Sequence, residues 1–277
     1  MSEHDANATM AVFLDLENIA LGAREAKFPR FDVRLVLERL LLRGHIVVKK
    51  AYCDFDRYKE FKRDLHEAAF ELIEIPHVRM SGKNSADIRM VVDALDLCYT
   101  KQHLNTFLIL SGDSDFSPLV SKLRENAKTV IGVGVKNSSS DLFINNCDEF
   151  IYYDDLVREK QPKPSRSRGR KKAEPAKSGE NGATAEPPTA DHSGPTLEQA
   201  LDQVSATIEA LAAERGEDDR IWGSMIKQAL KRRNPGFNER AHGFRSFNDL
   251  LKAAEKAGIL RLEADEKSGG YIVLPAE

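Results

Sequence analysis

The chain has 277 residues, 41% of them hydrophobic and 31% charged, with a formal net charge of −3. This is long enough to bury a sizeable core in one or two soluble domains, and too evenly charged to indicate a nucleic-acid partner by net charge alone. Cys53, Cys98 and Cys147 stand far apart in no CxxC spacing, which indicates neither a disulfide framework nor a zinc site; no apolar run nears the ~20 residues of a membrane span, and "MSEHDANATM" lacks the basic and apolar regions of a secretory signal, so a reducing cytoplasm away from membranes is the expected setting.

In chain order, short β-branched or aromatic runs alternate with amphipathic segments. The strand-like runs are "AVFLD" (11–15), "HIVVKKAYC" (45–53), "ELIEIP" (71–76), "TFLIL" (106–110), "TVIGVGV" (129–135) and "EFIYY" (149–153). Several are apolar on both faces, as parallel strands covered on both sides must be. Between them, "FDVRLVLERLLLRG" places Val33, Val36, Leu37, Leu40 and Leu41 on one helical face, with Gly44 as a helix C-cap. "DRYKEFKRDLHEAAF", "SADIRMVVDALDLCYTK" and "SPLVSKLREN" carry the same period. The alternation predicts an α/β fold, an open parallel sheet flanked by helices, over residues 10–157.

Residues 158–195 are rich in Pro, Gly, Ser, Ala and charge and have almost no large apolar side chain. Such a stretch buries too little surface to offset the entropy of ordering, so it reads as a flexible linker. Beyond it, residues 196–277 read as a helix, "TLEQALDQVSATIEALAAERG", a second helix from "IWGSMIKQALKRR", a third beginning near Ser246, and a terminal hairpin from "ILRLEA" and "GYIVLP". Three helices and a hairpin describe a winged helix-turn-helix.

The chemistry concentrates in the carboxylates. Asp15 ends the first strand and Asp113 follows the fourth, in "SGDSDF". If these strands are neighbours, both acids reach the crevice at the carboxyl ends of the sheet. Asp87 falls in the first turn of the helix after the third strand, and Asp115 at the start of the helix after the fourth, where the helix dipole eases its charge. Each acid alone also reads as a helix cap or helix-start residue. Together they repel unless a cation neutralises them, and hard oxygen ligands without thiolates point to Mg²⁺ or Mn²⁺ and to phosphodiester hydrolysis. Asp93 and Asp96, six and nine residues beyond Asp87, turn away from its direction, and Asp93 stands as a supporting candidate; Asp141 reads chiefly as a loop or helix-start acid. Asn18, Lys83 and Asn84 are placed to bind a water or a phosphate, and Ser111 and Gly112 form the turn that aims the acids, with Ser111 on the substrate side.

Basic residues offer nucleic-acid contacts: Arg166, Arg168, Arg170, Lys171 and Lys172 in the linker, and Lys231, Arg232 and Arg233 in the tail beside Phe237, Phe244 and Phe247. A solvated tether and an aromatic core are the plain alternatives.

"FLDLENI", "KNSADIRMVVDAL", "ILSGDSDFSPLV" and "GVGVKNSSSDLFINNCDEFI" resemble the NYN domain of LabA-like proteins, a branch of the PIN-like nuclease superfamily. "IWGSMIKQALKRRNPGFNERAHGFRSFNDLLKAAEKAGILRLE" followed by "GGYIVLP" is similar to the OST-HTH or LOTUS domain. The first resemblance implies a metal-dependent ribonuclease centre on acids matching Asp15, Asp87, Asp113 and Asp115, with Asn18 also at a family position; the pairing implies RNA metabolism. The expected partner is RNA, with protein partners open to the LOTUS-like domain and a homodimer compatible with the sequence. The alternative is a noncatalytic RNA-binding adaptor on the same scaffold.

Overall fold

The computed structural model describes residues 8–75, 85–160, 196–215, 220–265 and 270–275. Lys83, Asn84 and the linker cations Arg166, Arg168, Arg170, Lys171 and Lys172 lie outside the described residues.

Six strands, β1 (Ala8–Asp15), β2 (Gly44–Cys53), β3 (Glu71–Glu74), β4 (Thr106–Leu110), β5 (Thr129–Gly134) and β6 (Glu149–Tyr152), pair in parallel in the order β3-β2-β1-β4-β5-β6. The period of two along each strand sorts side chains to two faces. Val12, Leu14, Leu108 and Leu110 pack beneath α1 (Leu16–Glu25), α2 (Val33–Leu41), α3 (Lys59–Glu67) and α7 (Tyr153–Lys160). Ala11, Phe13, Phe107 and Ile109 face α4 (Ser85–Thr100), α5 (Ser117–Glu125) and α6 (Asp141–Asn146), with the Phe13 and Phe107 rings stacked 6.0 Å apart. The result is the three-layer α/β architecture expected from sequence, with all six strands where the apolar runs lie.

Helices α1, α6 and α7 are not among the segments forecast as helical. α1 follows β1 without a loop, and Gly22 in its middle weakens the helical pattern. α7 begins at Tyr153, whose aromatic ring reads as a strand continuation but packs instead against Phe28 and Phe31. Gly44 is also corrected. Leu42 is the C-cap of α2, and Gly44 opens β2, where a Cβ would run into the backbone of Ala8 on β1. Leu41, expected on the core face of α2, is 61% exposed.

The C-terminal unit comprises α8 (Leu197–Arg215), β7 (Ile221–Trp222), α9 (Gly223–Arg233), α10 (Phe247–Lys256), β8 (Leu260–Ala264) and β9 (Tyr271–Pro275), with an antiparallel sheet in the order β7-β9-β8. Ala200, Val204, Ile226, Leu230, Phe247 and Leu250 belong to its core. Ser246 caps α10 by accepting the Asp249 N–H at 3.2 Å. Ile221 and Trp222 do not begin a helix as expected; they pair with Val273 and Ile272, a strand role that suits a β-branched and an aromatic residue.

This unit covers the β6 edge of the parallel sheet. The Phe150 N–H donates to the Pro235 carbonyl at 2.9 Å, so the edge finds a backbone partner. Beside it, Glu149 accepts both guanidinium arms of Arg43 at 2.7 and 2.6 Å and the Lys231 ammonium at 3.2 Å. Asn238 donates to Asp155 and Arg240 to Glu159, each at 3.1 Å.

Candidate active site

β1 and β4 are neighbours, and the strand order reverses direction between them. That is the switch point of an open α/β sheet, where loops leave in opposite directions and open a crevice. The paired residues Leu14 and Leu110 end the β1–β4 register, so Asp15 and Ser111 emerge side by side at its mouth.

Asp15 is only 8% exposed. One carboxylate oxygen accepts the Asn18 N–H at 3.3 Å, making Asp15 the N-cap of α1, and the other accepts the Ser111 hydroxyl at 2.9 Å. Burial, followed by the charge of Asp87, pushes the Asp15 carboxyl up to about 7 against these two hydrogen bonds, and Asp113 adds to the push. Asp87, in the first turn of α4, is raised as well, by burial first and then by the charges of Asp113, Asp115 and Glu17. The acids read from the sequence therefore share one electrostatic field.

Asp113 caps the short 3₁₀ turn Ser114–Phe116 by accepting the Asp115 N–H at 3.0 Å, while its own N–H donates to Ser111 Oγ at 3.2 Å. Asp115 carries its carboxylate at the exposed rim. The capping role thus belongs to Asp113. Asn18 uses its side-chain oxygen to accept the Gly112 N–H at 2.8 Å, tying α1 to the turn after β4. A Cβ at Gly112 would collide with the Ser138 carbonyl, so only glycine lets the 138–140 segment close over the turn; the Ser140 N–H donates to the Gly112 carbonyl at 2.9 Å.

Ser111 is corrected from a substrate contact: it is fully buried and its hydroxyl is turned to Asp15. Lys231 pairs with Glu149 across the domain junction, which engages the ammonium the sequence offered to RNA, while Arg233 is exposed and donates to the Ala206 carbonyl at 3.0 Å. Arg232 is exposed on α9. Phe237 and Phe247 are buried in the C-terminal core, and Phe244 packs partly against it. Asp93 does not support the cluster: it accepts hydrogen bonds from Tyr52 at 2.9 Å and Arg89 at 3.0 Å and pairs with Lys50 at 3.4 Å. Asp141 lies in the first turn of α6, which Ser140 caps. Glu17, half-buried in the first turn of α1, is the acid that sequence reading missed; its signal is its place two residues after Asp15 in "FLDLEN".

Among the described residues, no three His, Cys, Asp or Glu side chains are grouped so that together they could hold a metal ion. Asp15, Asp87, Asp113 and Asp115 instead form a loose acidic group linked through their charges. Its all-oxygen donor set fits Mg²⁺ or Mn²⁺ chemistry, because Mg²⁺ keeps several waters and binds through one or two carboxylates rather than a full protein cage.

A 3-2-1-4-5-6 parallel sheet with acids at its switch point defines a PIN-like α/β domain of the NYN type, here with a small helical and antiparallel-sheet domain behind it. The chain belongs to the NYN domain family: residues 9–154 match it, and residues 199–267 match the OST-HTH/LOTUS domain. Among curated proteins, meiosis regulator and mRNA stability factor 1 of Xenopus tropicalis is 24% identical over 154 residues, covering 56% of this chain. The match spans 9% of that protein's length. A crystal structure of a protein of unknown function from Vibrio parahaemolyticus RIMD 2210633 is 26% identical, with a TM-score of 0.49, over 56% of this chain and 98% of that one. NYN and PIN-like proteins typically use divalent metals. No helix among the described residues is long and apolar enough to cross a membrane.

Proposed function

We propose that the protein is a metal-dependent ribonuclease, with the N-terminal α/β domain through α7 hydrolysing RNA phosphodiester bonds, the stretch after α7 serving as a linker and residues 196–277 capturing RNA or a partner. The observation that carries this reading is the gathering of Asp15, Asp87 and Asp113 at the β1–β4 switch point, where burial first and then the charges of Asp87 and Asp113 push the Asp15 carboxyl up to about 7 despite two hydrogen bonds. Concentrated negative charge at a sheet mouth is costly, and a function that requires it explains its presence. RNA as substrate is supported by the LOTUS domain and by the curated relative, itself named for mRNA stability.

The ion would be held through one or two carboxylates among Asp15, Asp87, Asp113 and the rim residue Asp115, with water completing its shell. When bound, a divalent ion supplies a polarised phosphoryl oxygen and an activated water for in-line displacement. Ser111 and the Asn18 backbone fix the orientation of the Asp15 carboxylate, so little reorganisation is needed when substrate arrives. Asn18 spends its side-chain oxygen on Gly112 and keeps its amide donors for a water or a phosphate oxygen.

Purified full-length protein incubated with labelled single-stranded and structured RNA should cleave in Mn²⁺ or Mg²⁺ and not in EDTA. Asp113→Asn should lower the rate by about a hundredfold or more, as the loss of a group that stabilises transition-state charge does. Equal degradation by wild type and variant would overturn the assignment. The open spacing of the acids favours a second reading, an RNA-binding adaptor that retains the scaffold without cleavage. That reading predicts binding that weakens with salt and no cleavage in any metal.

A further inference from the structure

α4 is apolar on two sides. Met90, Ala94 and Cys98 are buried against the sheet, yet Ile88, Val92 and Tyr99 on the other side are 64%, 56% and 59% exposed. With the half-buried Leu95 they follow a 4-3-4 spacing, which at 100° per residue confines all four to an arc of about 60°. Scattered exposed apolar residues need no explanation, whereas a straight stripe along a 16-residue helix marks a contact surface.

We infer that this stripe pairs two copies of the chain through an antiparallel α4–α4 contact. A two-fold axis between Asp93 and Ala94 places Ile88 against Tyr99 of the second copy and Val92 against its Leu95, so the stripe is complementary to itself. The same operation brings Arg89 beside Asp96 of the second copy, and Asp96 beside its Arg89. These two residues lie on one flank of the stripe, seven apart and opposite in charge, as the flanking positions of an antiparallel helix pair require. Arg89 is half exposed and holds Asp93 at 3.0 Å, which keeps its guanidinium on that flank; Asp96 is exposed. One helix pair buries less than the ~1,200 Å² of stable protein–protein interfaces, so the dimer is weak, with a dissociation constant on the order of 1–100 μM.

Sedimentation velocity of the full chain from about 1 to about 200 μM brackets that range. It should show a concentration-dependent shift from monomer to dimer. Val92→Glu should raise the dissociation constant at least about tenfold without changing the melting temperature, because the side chain is already mostly in water. Asp96→Arg should weaken the dimer by like-charge contact, and the exchange Arg89→Asp with Asp96→Arg should restore it. A chain that stays monomeric across the range, with the stripe left to a different protein, would overturn the proposal. So would a dimer indifferent to Val92→Glu, and a dimer as tight in Asp96→Arg as in wild type would contradict the antiparallel register.

Discussion

Asp15 shows how one residue can serve the fold and oppose it at once. Its two hydrogen bonds cap α1 and hold Ser111, while its burial and the nearby charges of Asp87 and Asp113 work against the ionised form. Asp15→Asn keeps an oxygen for the Asn18 N–H and an amide that can donate to Ser111 Oγ, and it removes the charge. In metal-free protein this substitution should stabilise the fold by at least about 1 kcal/mol, or about 2–4 °C in a domain of this size, while abolishing cleavage. Thermal melts in EDTA read the first effect; a lower melting temperature would mean that the charge is not strained. At this scale the sequence was only partly legible. Asp15 and Asp113 stood out because four or five apolar residues precede each, which locates a strand end. The division of labour between Asp113 and Asp115 did not, because two acids two residues apart in a turn differ only in which one the backbone folds back upon. The burial of Ser111 was hidden for a related reason: it depends on the β1–β4 register and not on its own neighbours.

At the scale of elements, β6 owes its protection to the C-terminal unit. Glu149 is one-fifth exposed and sits between Arg43 and Lys231. Burial alone would raise its carboxyl, but the hydrogen bonds and charge of Arg43, with those of Lys231, outweigh this and hold it at about 2. Because the folded value lies below the ordinary 4.5, the stabilisation is complete above about pH 4.5 and is lost as the pH falls toward 2. Thermal melts across pH 7 to 3 should show a decline at the acid end that Glu149→Gln flattens, with the variant several degrees less stable at neutral pH. Parallel profiles for the two proteins would contradict this role. Periodicity made the strands legible, since alternate residues feed two separate cores. It could not reveal β7, whose two residues gain strand character only by pairing with β9, nor that Lys231 faces an acid 82 positions earlier in the chain.

At the scale of the whole molecule, the acidic cleft opens at the β1–β4 switch point while the C-terminal domain seats on the far edge strand, β6. Lys231, which the sequence offered to RNA, is paired with Glu149, and Arg232 and Arg233 are exposed on α9. The proposed chemistry requires a divalent ion bound by one or two of Asp15, Asp87 and Asp113. Crystals of the full chain grown with Mn²⁺, measured near the manganese absorption edge, test this most directly. Metal binding there should give an anomalous peak within ligating distance, about 2.0–2.4 Å, of at least one of these carboxylates, lost in Asp113→Asn. An ordered cleft with no such peak at saturating Mn²⁺ would contradict it.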